Sequence, residues 1–186
     1  MSLSLVFWIG AAVLLFWSVG AYNRLVRLRA AALQAFAALD TRLREQAGVV
    51  ENCLPKDGPD EAGEGGELQD DMTAMWRGLA GAAAQFNASL AAARARPLET
   101  EAVAALHAAQ GVLHMAWQRL QEDDAHDLAG AALPDTLQLH WQQSTAHVNT
   151  AAQAFNAAVE TYNAAITQFP ALLLARLFNF RRARAL

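Results

Sequence analysis

The sequence predicts an all-α fold: an N-terminal transmembrane helix continuous with a cytoplasmic, antiparallel, up-down four-helix bundle. Three observations predict it. Residues 3–22 carry no charged side chain and are followed at once by Arg24, Arg27 and Arg29. Apolar residues recur at steps of three and four in four separate stretches, the period of a helix with one buried face. No stretch shows the strict alternation of a strand.

The apolar run comes first. At 1.5 Å per residue it is about 30 Å long, the thickness of a bilayer's hydrocarbon core. Val19, Gly20 and Ala21 resemble a signal-peptide cleavage site, but no Lys or Arg precedes the run, and the run is long for a signal. A retained anchor over residues 1–22 is the better reading. Arginines on its C-terminal side place that side in the cytoplasm and the short N-terminus outside.

Bulk properties narrow the rest. The chain has 186 residues, 54% of them hydrophobic and 17% charged. Without the anchor about 160 remain, enough for one sizeable core. A net charge of -4 gives no reason to expect nucleic-acid binding, and aromatic and basic residues are not interleaved on a polar face. Cys53 is the only cysteine, so no internal disulfide forms, and a small buried side chain or a tolerated bystander is a simpler reading than a catalytic thiol.

The bundle is expected over residues 23–169. Leu25, Leu28, Ala32, Phe36, Leu39, Leu43, Ala47, Val50 and Leu54 give an eleven-residue repeat, the pattern of a nearly straight helix over about 23–54, ended by Pro55. Residues 56–67, KDGPDEAGEGGE, form an acidic, glycine-rich loop without calcium-loop spacing. A second helix over 68–96 carries Met72, Met75, Trp76, Leu79, Ala83, Phe86 and Leu90, with Gly78 and Gly81 either weakening it or admitting a close neighbour. A third over 99–121 carries Val103, Leu106, Gln110, Leu113, Trp117 and Leu120. Pro134 opens a fourth over 134–169, whose coiled-coil-like seam runs from Leu137 and Trp141 to Ile166 and Phe169.

Charge agrees with an up-down order. Arg24, Arg27, Arg29, Arg94, Arg96, Arg176, Arg181, Arg182 and Arg184 would map to the membrane end, where an anionic leaflet favours them. Asp57, Asp60, Glu61, Glu64, Glu67, Asp70, Asp71, Glu122, Asp123, Asp124 and Asp127 would map to the far end. The basic amphipathic tail, residues 170–186, mixes Leu172, Leu173, Leu174, Leu177, Phe178 and Phe180 with arginines. It reads as an interfacial helix in contact with membrane lipid; an extra turn packed on the bundle base is the other reading.

Two stretches carry a family resemblance. One is Tyr22-Asn23-Arg24-Leu25-Val26-Arg27-Leu28-Arg29, continued by residues 35–43, AFAALDTRL. The other is residues 155–170, FNAAVETYNAAITQFP, with its paired aromatic-Asn steps at Asn156 and at Tyr162-Asn163; Phe155 stands where a tyrosine is usual. Both stretches resemble the LemA family, and the resemblance implies a bacterial membrane protein with one anchor, a cytoplasmic antiparallel helical bundle and no established enzymatic activity; with the arginines after the anchor, the inner membrane is the expected location.

Candidate site residues follow from both readings. Arg24, Arg27, Arg29, Arg176, Phe178, Phe180, Arg181 and Arg182 are the expected membrane-interface set. Tyr22, Asn23, Asn156, Tyr162 and Asn163 are the polar residues of the family-like motifs. Asn149, Asn156 and Asn163, spaced by seven, form a stripe that would fix helix register or meet a partner helix. The sharpest alternative is a metal or haem site: His107 and His114 on helix three could face His147 and His140 on helix four. Each flanks a core position, however, and no Glu-x-x-His pair accompanies them. No nucleophile-base arrangement, phosphate loop or zinc spacing is present, so no enzyme activity and no cofactor are expected. The expected role is a membrane-tethered scaffold or adaptor with an unidentified protein partner, or one that self-associates through its first helix.

Overall fold

The computed structural model describes residues 3–54, 67–126, 135–169 and 171–186. Among them every regular element is helical: α1 (Leu3–Cys53), α2 (Glu67–Ala95), α3 (Thr100–His126), α4 (Asp135–Thr167) and α5 (Ala171–Leu177). The acidic loop at 56–66 and the connection holding Asp127 lie outside the described residues.

α1 is one helix of 51 residues with two different surfaces. Its first part is apolar on all sides and exposed, with Phe16 at 83%. From Leu25 onward it is amphipathic. Leu25, Ala32, Phe36, Leu39, Leu43, Ala47 and Val50 are buried, and each of the leucines contributes about 1.5–3 kcal/mol by leaving water. The change of surface falls where the arginines begin.

Cross-helix contacts set the directions. Gln46 Nε2 donates to Thr145 Oγ1 (3.0 Å), and Phe36 meets Phe155 edge-on with ring centroids 5.5 Å apart. Moving back along α1 thus moves forward along α4, so the two run antiparallel. Asn87 Nδ2 donates to Glu51 Oε1 at 2.8 Å, and Arg94 reaches Asp40 at 2.9 Å, so α1 and α2 are also antiparallel. A short turn over 96–99, in which Glu99 N–H donates to the Arg96 carbonyl (3.1 Å), folds α3 back on α2. α3 and α4 meet through large side chains: Trp117 stacks on Trp141 at 4.5 Å and 20°. Trp117, Tyr162, Phe86 and Phe155 are the bulkiest fully buried side chains.

Several details depart from the periodic reading. Ala109 is buried where Gln110 was expected; Gln110 is half-buried and its carbonyl lies 3.0 Å from His114 Nδ1. α3 runs on to His126, past the expected end at 121. Phe169, expected in the α4 seam, is 80% exposed because the helix has already ended at Thr167. Gly78 and Gly81 have no close neighbour: a Cβ at either would meet nothing within 4 Å. Arg94 does not reach the end of the fold, because it is held at Asp40, midway along the part of α1 that is packed.

The tail differs most. It is not one helix to the end. α5 stops at Leu177, Asn179 takes a left-handed conformation (φ 54), and Phe180 N–H donates to the Ala175 carbonyl at 2.8 Å. That is a Schellman-type stop, with asparagine filling the position glycine usually takes. Beyond it the chain runs back along the helices.

Candidate functional site

The returning tail is held by the side chains of α4. Asn163 Nδ2 donates to the Ala183 carbonyl (2.7 Å), and Ala183 N–H donates to Asn163 Oδ1 (2.9 Å). One heptad earlier, Asn156 Nδ2 donates to the Leu186 main-chain oxygen (3.2 Å), and Leu186 N–H donates to Asn156 Oδ1 (2.8 Å). Each amide thereby satisfies both backbone groups of one tail residue, as a neighbouring strand would. The register has a simple cause. Seven helical residues rise about 10.5 Å, and three extended residues span about 10 Å. Asparagines seven apart therefore meet tail residues three apart. Asn149, next in the stripe, is exposed.

Tyr162 completes the clasp. Its hydroxyl donates to the Arg181 carbonyl (2.9 Å) while its ring is buried. Burial pushes its phenol above the ordinary value, and the Arg29 guanidinium partly opposes that. On α1, Tyr22 contacts Phe178 and Phe180, with ring centroids 4.9 and 6.1 Å away. Ala183, only 7% exposed, faces the core. Tyr22, Asn156, Tyr162 and Asn163 thus all serve to hold the tail, while Asn23 is exposed and outside the clasp.

Two clefts flank this arrangement. One is an apolar cleft of about 320 Å³ where Phe16, Trp17 and Gly20 of α1 face Ala165 and Phe169, with Arg24 at its edge. The other, of about 380 Å³, lies between α1, the 96–99 turn, α4 and the tail, and is lined by Arg29, Arg96, Glu99, Tyr162 and Arg181 among others. Arg24, Arg27, Arg29, Arg176, Arg181 and Arg182 are all exposed.

His107, His140 and His147 are exposed, whereas the His114 ring packs against Trp141 at 5.1 Å. Among the described residues no three His, Cys, Asp or Glu side chains gather where they could hold a metal. Burial raises the Cys53 thiol, whose Sγ–H donates to the Val49 carbonyl at 3.0 Å. It therefore stays protonated and is a poor nucleophile at neutral pH.

The clasp residues Asn156, Tyr162, Asn163, Arg181 and Ala183 all fall within the stretch that matches a known family. The LemA family model matches residues 67–186, well over half of the chain. The chain belongs to the LemA family. The LemA match takes in the aromatic-Asn motif and the whole tail, and it begins after the motif-like stretch at 22–43. No curated protein and no solved structure matches the chain. Outside the LemA match, α1 is the one described helix long and apolar enough to cross a membrane.

The sequence had marked Asn156, Tyr162 and Asn163 without their partner. The seven-residue spacing was a signal of a shared face, but the face receives the chain's own backbone. Arg96, in the second cleft, was not among the expected site residues.

Proposed function

We propose that this LemA-family chain is a non-enzymatic, single-pass protein of a bacterial inner membrane. α1 crosses the bilayer, and α1 to α4 form an antiparallel up-down four-helix bundle on the cytoplasmic side. The bundle acts as a tethered scaffold or adaptor for protein partners. The observation that carries the membrane reading is the placement of the α4–α5 corner. Phe169 shares a cleft with Phe16 and Trp17, inside the uncharged run of α1. Phe169, Leu177 (75% exposed) and Phe178 therefore present apolar surface beside a segment that is itself apolar all round. In water such surface is costly; against acyl chains it is not. Arg24, Arg27, Arg29, Arg176, Arg181 and Arg182 then sit where they can meet anionic headgroups.

Support for the adaptor role is an open groove between α2 and α3, about 920 Å³, lined by Met75, Leu79, Val112 and Met115 with Gln85 and Arg119. Met115 is exposed there, and such a groove suits a partner helix. The acidic loop at 56–67 is a second docking candidate. Proximity labelling in intact cells, with the label fused into that loop, tests the reading. A reproducible set of cytoplasmic or membrane proteins is the expected outcome. Labelling confined to periplasmic proteins would reverse the orientation, and labelling of this chain alone would favour self-association.

A further inference from the structure

We propose that the cleft between Arg29, Arg96 and Arg181 is a binding site for the phosphate group of an anionic phospholipid. The inference rests on the membrane reading above for the source of that phosphate. Three arginines line this cleft from parts of the chain far apart in sequence: α1, the α2–α3 turn and the returning tail. Among the described residues one acidic side chain lines it, Glu99, which pairs with Arg96 at 3.1 Å. Among the described residues Arg181 Nε donates only to the Asn179 side-chain oxygen, at 3.3 Å. Among the described residues Arg29 has no hydrogen-bond or ion-pair partner.

Holding like charges around one cavity costs Coulomb energy that an anion removes. Guanidinium is also the donor that matches phosphate oxygens in pairs. The arrangement is fixed rather than chance. The Arg181 backbone is pinned by the Tyr162 hydroxyl, and the tail beyond it by Asn163. A volume of about 380 Å³ falls within the usual range for a small-ligand pocket.

Position argues for a lipid. Arg29 lies two turns beyond Tyr22, about 10 Å past the end of the apolar run. Helical Cα–Cβ bonds lean toward the N-terminus, so a long side chain at this position extends back toward the bilayer. The headgroup layer is about 5–7 Å thick, within that reach.

The test uses the full chain in a neutral detergent, titrated calorimetrically with dihexanoylphosphatidylglycerol, dihexanoylphosphatidylcholine and inorganic phosphate. The glycerol lipid should bind about tenfold more tightly than the choline lipid, and Arg29→Gln and Arg181→Gln should each weaken it about tenfold, the loss of one charge-assisted hydrogen bond. Arg44→Gln, on the far part of α1, should bind as the wild type does. Equal binding of the two lipids, or unweakened binding by both variants, overturns the site. Inorganic phosphate binding as tightly as the lipid overturns the lipid assignment. Retention of the same proteins in carbonate-washed membranes reads the anchor separately. Lost retention sinks the membrane reading; intact retention with unweakened binding sinks only this site.

Discussion

Asn163 and Ala183, twenty residues apart, exchange two hydrogen bonds of 2.7 and 2.9 Å, so that one side-chain amide stands in for a neighbouring strand. Asn156 repeats the exchange with Leu186. The extended tail is thereby closed onto α4 by side-chain amides.

Removing the amide should free the tail. Each hydrogen bond contributes about 1 kcal/mol net, so Asn163→Ala should raise amide exchange at Ala183 by about tenfold or more. Exchange in the middle of α1 should not change. Unaltered protection at Ala183 would mean that Asn156, Tyr162 and the aromatic contacts of Tyr22 hold the tail without Asn163.

Asp40 joins α1 to α2. Its side chain is 10% exposed, and the carboxylate accepts from Arg94 Nε and Nη2 (3.1 and 2.9 Å) while Arg44 pairs with its other oxygen (3.1 Å). Both arginines are about half exposed, which weakens each pair. Asp40→Ala should lower stability by about 1–2 kcal/mol in urea denaturation. A change below a few tenths would show that water replaces the pair without loss.

Gly81 is exposed inside α2, with open space where a Cβ would go. Gly81→Ala should therefore stabilise the protein by about 0.5–1 kcal/mol, through helix propensity and a less flexible unfolded chain. A loss of stability would reveal a neighbour at this face, such as a partner or a second copy.

Tyr162 makes the clasp sensitive to alkali. Burial raises its phenol above the ordinary value near 10, so the folded chain keeps this proton longer than the unfolded chain does. The contribution is full below about pH 10 and is lost as pH rises through the folded value. Tyr162→Phe should cost about 1 kcal/mol at pH 8, and that gap should narrow above pH 10. Denaturation midpoints of the two proteins falling in parallel would assign the alkaline loss to another group.

Much of the helical surface was legible in the residues. The steps of three and four from Leu25 to Val50 put one face inward; all of those side chains but the half-buried Leu28 are buried, and Asp40 and Gln46 are buried beside them. Periodicity identifies a face because burial repeats with the helix. It does not identify what meets that face. Ala109 rather than Gln110 fills the α3 seam, and Phe169 leaves the α4 seam because its helix ends two residues earlier.

The aromatic-Asn motif shows the same limit. Its residues were visible as a stripe, but their partner was not, because a backbone N–H and C=O look alike at every residue and leave no mark in a sequence.

The sequence by itself determined the apolar, uncharged entry into α1, the helical faces and the family, since hydropathy and spacing are local properties of the chain. Tertiary structure alone decided that Arg94 stops at Asp40, that Asn156 and Asn163 bind the tail, and that Arg29, Arg96 and Arg181 share one cleft. Those pairings depend on how far each helix runs and where the chain turns back, and distances of that kind are set only when all the helices pack together.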